Sequence, residues 1–108
     1  MSKVGAGVKE VEIGGQEYTL KVTVSAIEAI ERRFGNFQKA AQQCMALGWA
    51  DAVFIISKAA GLNKSDTEKL KEHVVSEGLE SVATIAAEYL GMVINPSSES
   101  EDDVSGEE

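Results

Sequence analysis

Residues 18–35 read YTLKVTVSAIEAIERRFG, from Tyr18 to Gly35. The first half alternates apolar and polar side chains, the period of a strand with one buried face. The second half places Ala26, Ile27, Ile30 and Phe34 at helical spacing. Ser25, with Glu28 three residues later, matches a capping box and puts the change from strand to helix at Ser25. Gly35 supplies a stop. A strand, a capped helix and its end are therefore written into one stretch, with no reactive group among them.

Working outward, Lys9 to Ile13 reads as a partner strand, and Gly14-Gly15 as a two-residue hairpin turn. That loop sets Ile13 opposite Gln16, Val11 opposite Tyr18 and Lys9 opposite Leu20. Val11, Ile13, Tyr18 and Leu20 then share one face, continued by Val22, while Glu12 faces Glu17 on the other. A lone hairpin is marginal in water, so its apolar face is expected on helices.

Four further helices follow. Asn36 caps a second one, about Phe37 to Leu47, with a stripe of Phe37, Ala40, Ala41, Cys44 and Leu47, Met45 at its edge, and Gly48 at its end. The third, Trp49 to Ala60, is apolar almost all round, as buried helices are; Gly61 closes it. Ser65 with Glu68 reads as a second capping box opening a polar fourth helix at about Asp66, in which Leu70, Val74 and Val75 are apolar and Gly78 is the stop. The fifth runs from about Leu79 to Val93. Its stripe of Leu79, Val82, Ala83, Ala86, Leu90 and Val93 is flanked by a second apolar row, Ile85, Tyr89 and Met92. The expected architecture is mainly α: an N-terminal β-hairpin packed on about five short helices. One domain spans residues 9–94, after a flexible lead (1–8) and before a disordered acidic tail (95–108).

Charge supports that division. The chain of 108 residues has a net charge of −8, and the last fourteen hold six acids and no base. Residues 1–94 keep twelve acids against ten bases, a net of −2. The domain lacks the basic footprint of a nucleic-acid binder. It also lacks the negative face of a nucleic-acid mimic. One cysteine, Cys44, excludes an internal disulfide, and no apolar run reaches membrane-spanning length. The expectation is a soluble protein of a reducing compartment, bound to neither nucleic acid nor membrane.

Reactive constellations are missing from the pattern. His73 is the only histidine and sits in a polar helix, where a partly exposed helix residue is the plainer reading than a base or ligand. Cys44 lies mid-stripe beside Ala40 and Ala41, as a small core residue does. Gly5-Ala6-Gly7 precedes a strand, the wrong order for a phosphate loop. The tail acids lack the spacing of a calcium loop. Glu28, Glu31, Asp51 and Glu88 are scattered without pairing as catalytic carboxylates, although Glu28 and Arg32 are placed for an i,i+4 ion pair. No catalytic, cofactor-binding or metal-binding residue is expected, and the chain is read as a non-enzyme.

Surface is what is left for function. Ile85, Tyr89 and Met92 form a candidate partner-binding face, with Trp49 and Phe37 as candidate aromatic anchors. The alternative for the row is that the fifth helix touches two neighbouring elements. For the aromatics, it is that they cap the corner between the second and third helices.

A hairpin ending in Tyr18-Thr19-Leu20, then Ala26-Ile27-x-x-Ile30-Glu31, Gly35, an apolar third helix with its glycine stop, and Gly78-Leu79 opening the last helix, together resemble a family of small tailed-phage proteins. These are the tail assembly chaperones of gene-transfer-agent type, also described as tail tube proteins. The resemblance covers roughly residues 9 to 93. It implies a non-catalytic role in the cytoplasm of a bacterial host: binding the long helical tape-measure protein and helping recruit tail tube subunits, without staying in the mature particle. No contact residue carries over position by position, and self-association is left open. The other readings are a structural tail tube or tail-completion subunit, or a small protein-binding regulatory adaptor.

Overall fold

The computed structural model describes residues 7–46 and 48–94; the lead before Gly7, Leu47 and the acidic tail lie outside the described residues. Two strands, β1 (Val8–Ile13) and β2 (Gln16–Lys21), pair antiparallel, and five helices follow: α1 (Val24–Phe34), α2 (Phe37–Met45), α3 (Trp49–Ala60), α4 (Lys64–Glu77) and α5 (Leu79–Ile94). Helices make up 71% of the described residues, so the chain is mainly α with an N-terminal hairpin.

The hairpin has the register its turn dictates: Ile13 opposite Gln16, Val11 opposite Tyr18, Lys9 opposite Leu20, with Glu12 facing Glu17 on the exposed side. Gly14 and Gly15 both have positive φ, 59° and 87°, the combination a two-residue turn needs to follow the strand twist. Gly14 is also pressed against α4, where an added Cβ would lie 2.6 Å from the His73 carbonyl. Its N–H donates to Glu77 Oε1 at 2.9 Å. The turn is thus fastened to a helix more than sixty residues downstream.

Two helix starts differ from the sequence expectation. α1 begins at Val24, and its cap is Thr23, whose hydroxyl accepts from the Ala26 N–H at 3.1 Å; Ser25 lies inside the helix. α4 begins at Lys64 with Asn63 as cap, its Oδ1 accepting from the Asp66 N–H at 2.7 Å, and Ser65 is helical. In each case the residue two positions earlier has the extended backbone of a cap and a side-chain oxygen in reach. Starting there adds about half a turn of backbone hydrogen bonds. Asn36 caps α2 as expected, accepting from the Lys39 N–H at 2.8 Å. α2 ends at Met45, short of Leu47, and Gly48 precedes α3 as its cap position.

α3 is the centre. It touches β2, α1, α2, α4 and α5, and buries Ala52, Val53, Ile55, Ile56 and Ala59. The hairpin lays Ile13, Tyr18 and Leu20 into this core, with α1 adding Ile30 and α4 adding Leu70 and Val74. Val75, the third strongly apolar residue of α4, is exposed. Complete burial of a side chain such as Ile30 or Leu20 contributes about 1.5–3 kcal/mol. Sheet, central helix and flanking helices thereby form one core.

Candidate functional site

The second apolar row of α5 is interior. Tyr89 and Met92 are 0% and 1% exposed, and Ile85 is half-buried against the same core. The expectation of a partner face at Ile85, Tyr89 and Met92 is therefore corrected. α5 packs against α2, α3, α4 and β1, so both of its rows have neighbours. Tyr89 also places its polar end, donating from its hydroxyl to the Lys21 carbonyl at 2.7 Å. Burial pushes its phenol up to about 12. Phe37 is half-buried, packed against the core.

Trp49 is different. It stands 37% exposed on the first turn of α3, at the rim of a groove of about 460 Å³ between α1 and α4. Helical spacing builds the floor: Val53 and Ser57 follow Trp49 at four-residue steps, and Phe54 lies beside them. Arg33, in the last turn of α1, lays its guanidinium over the Phe54 ring, 4.6 Å from the centroid, and 5.6 Å from that of Phe34. Its Nε and Nη2 donate to Asp51 Oδ1 at 3.2 and 3.0 Å. Lys58 approaches the same ring from one turn further along, Nζ at 5.5 Å. Phe34 and Phe54 meet edge to face, centroids 6.3 Å apart.

That cluster holds α1 on α3 and gives the groove a charged border. Each cation over an aromatic face contributes about 0.5–1 kcal/mol at an exposed site. Lys64, Glu68 and Lys71 complete the rim from α4, with Lys71 and Glu68 paired at 3.0 Å. Arg33 is matched by Asp51, whereas Lys58 and Lys64 make no ion pair among the described residues. The groove therefore offers an apolar floor, one aromatic indole at the rim and a positive border.

Arg33, Phe54 and Lys58 were not singled out from sequence as site residues. The Asp51-x-x-Phe54-x-x-x-Lys58 spacing shows that the three share a face of α3; that Arg33 crosses to them depends on how α1 docks. The Glu28–Arg32 pair expected within α1 is absent from the ion pairs of the described residues, and Glu88 instead pairs with Lys9 at 3.4 Å.

A second groove of about 490 Å³ runs between α2 and α5, floored by Ala83 and Ala87 and overhung by Met45, which is 78% exposed. Cys44 lies at its base, buried, its thiol pushed up to about 11 by burial and by the nearby Asp51 carboxylate. A thiol so held stays protonated near neutrality and is a poor nucleophile.

His73 is half-buried, its Nδ1 2.7 Å from the Tyr18 hydroxyl, the rings edge to face. The bond ties β2 to α4. Desolvation and then the Asp66 carboxylate hold the Tyr18 phenol above its ordinary range. No group of three or more His, Cys, Asp or Glu among the described residues could hold a metal ion. None of their helices is long and apolar enough to cross a membrane. No family model, curated protein or solved structure matches the chain.

Proposed function

We propose that this protein is a non-catalytic tail assembly chaperone of a phage, prophage or gene transfer agent, which binds the tape-measure protein and helps bring tail tube subunits to it. It would act in the cytoplasm of the bacterial host and leave before the particle is complete. The reading rests on the resemblance of residues 9–93 to that family and on one structural observation. Trp49 stands exposed beside the Val53–Phe54 floor of a groove whose cations Lys58 and Lys64 make no ion pair among the described residues.

Such a groove suits an amphipathic helix, with apolar side chains on the floor and acids towards the lysines. An aromatic at the edge of a desolvated pocket is the residue type that carries most binding energy in protein interfaces. A long helical protein with repeated apolar stripes needs many such contacts to stay soluble until tube subunits enclose it.

Co-expression of the chain with the long helical protein encoded beside it tests the proposal. A soluble complex that survives mild salt is expected. If the two proteins fail to associate, the chaperone reading falls. Ordered rings or tubes formed by the purified chain alone would instead identify a structural subunit.

A further inference from the structure

Among the described residues β2 pairs with β1 alone, so its other edge carries no strand. The Val22 N–H bonds to the Gly7 carbonyl at 2.8 Å, which fixes the phase of the ladder. In that phase Gln16, Tyr18 and Leu20 bond towards β1, while Glu17, Thr19 and Lys21 turn their N–H and C=O groups outward. Tyr89 takes the Lys21 carbonyl, which occupies that end of the edge. The Glu17 carbonyl meets only the side chain of its neighbour, Gln16 Nε2, at 3.5 Å. The N–H groups of Glu17 and Thr19 and the Thr19 carbonyl have no partner among the described residues. Outward amides at alternate positions of a strand are a template for another extended chain.

This edge is one wall of a groove of about 610 Å³; the end of α3 and the first half of α4 form the other. Ala60 and Leu62 give the far wall an apolar strip. Lys21, Lys58 and Lys69 outnumber Glu17 and Asp66 around it, a positive groove in a chain of net charge −8. All three lysines are exposed, and none makes an ion pair among the described residues. Tyr18 and His73 also line the groove, and the 2.7 Å contact between the Tyr18 hydroxyl and His73 Nδ1 ties β2 to α4. The two walls are thus held in place before anything binds, which lowers the ordering cost of binding.

Main-chain groups along a strand edge recognise extended peptides, and the pockets beside them choose the side chains. An antiparallel strand added here would bond through the residues it sets opposite Glu17 and Thr19. Its residues opposite Gln16, Tyr18 and Leu20 would lie on the core side of the sheet, towards the helices. A second copy of the chain would bring the same lysines to the groove and is the poorer match in charge.

We propose that the β2 edge docks an extended acidic segment of a partner protein. The segment adds antiparallel to Glu17–Thr19 as a third strand, with an apolar side chain against Ala60 and Leu62 and flanking acids towards Lys58 and Lys69. This docking does not depend on the chaperone reading, because it takes a strand and the Trp49 groove takes a helix.

A capped synthetic peptide of about seven residues, matched in length to β2, tests the proposal. It carries glutamate, valine and glutamate at the alternate positions that face the helices, and threonine elsewhere. Titrated into the full chain at low salt, it should shift the Glu17 and Thr19 amide resonances in nuclear magnetic resonance spectra. Methylating the backbone nitrogens of the two threonines that flank the valine removes the bonds to β2 and should weaken binding at least ~tenfold. Methylating the valine nitrogen, which points away from β2, should leave affinity within about twofold. Lysine in place of both glutamates should abolish binding, and Lys69→Glu in the protein should weaken it about threefold or more. No shift at Glu17 and Thr19, or equal binding of the two methylated peptides, overturns the proposal. Shifts at these amides that grow with protein concentration in the absence of peptide overturn it too, by identifying a second copy as the occupant.

Discussion

The Tyr89 hydroxyl donates to the Lys21 carbonyl at 2.7 Å across 68 residues of sequence, joining the buried ring of the last helix to the end of the hairpin. Replacing Tyr89 by Phe keeps the ring and strips the carbonyl of its partner, which should cost about 1–3 kcal/mol. Tyr89→Asp puts a carboxylate into the same fully buried site and is expected to prevent folding. Urea denaturation followed by circular dichroism separates the two outcomes. A helical, cooperatively folded Tyr89→Asp chain would show that the ring is not in the core.

The hairpin turn distinguishes its two glycines. Gly15 has open space where a Cβ would go, so Gly15→Ala should cost about 1 kcal/mol, the strain of a positive φ. Gly14→Ala carries the same strain and drives a Cβ to 2.6 Å from the His73 carbonyl. The turn must then lift from α4 and give up the Glu77 contact. Its loss should exceed that of Gly15→Ala by at least ~1 kcal/mol, measured as the difference in denaturation midpoints.

Alkali should unfold the protein earlier than its carboxylates and lysines alone suggest. Burial raises Cys44 from 9.0 to about 11 and Tyr89 from 10.0 to about 12. Both are neutral when protonated, so above pH 9 the unfolded chain gives up the Cys44 proton while the folded chain keeps it. The unfolded state binds fewer protons, and stability falls as pH rises. Each group removes about 1.4 kcal/mol per pH unit across its own window, 9 to 11 for Cys44 and 10 to 12 for Tyr89. Cys44→Ala should abolish the component that starts at pH 9; a native profile flat from pH 9 to 10.5 would refute the assignment.

Trp49→Ala should separate folding from binding. The indole lies at a groove rim, so its loss should shift stability by no more than about 1 kcal/mol. Truncating an interface anchor costs 2 kcal/mol or more of affinity, at least ~30-fold in Kd. Calorimetric titration against the proposed tape-measure partner reads that difference. Unchanged affinity would remove the α3 groove from the proposed function.

How far the sequence could be read depends on whether neighbours along the chain or across space decide the outcome. The hairpin register follows from a two-residue loop and the period of two. Asn36, Gly61 and Gly78 likewise mark helix ends through local backbone chemistry. The sequence pattern puts the starts of α1 and α4 two residues late because Thr23 and Ser25, or Asn63 and Ser65, are both cap formers, and the capping-box pattern favours the second of each pair. What selected the first was where the preceding chain remains extended. The second row of α5 admits both a surface and an interior reading, because a helix alone does not reveal how many elements surround it; α5 packs against four, and Tyr89 and Met92 are buried. The Arg33–Phe54–Asp51 cluster needed the angle between α1 and α3, which no residue pattern states.

The anchoring of the hairpin to α4 and α5 also sets an order of events. Its own strands meet through a turn of two residues and can close on a microsecond scale, about as fast as short helices form. Its attachments, Gly14 to Glu77, Tyr18 to His73 and Lys21 to Tyr89, span 63, 55 and 68 residues and wait for the last two helices. During synthesis the ribbon therefore leaves the ribosome early with its apolar face unsatisfied; α3 can begin to cover it, and the covering is completed only when α4 and α5 have been made. In the finished protein the same three attachments make the ribbon a unit that opens together, because losing one loosens the lever on which the other two act.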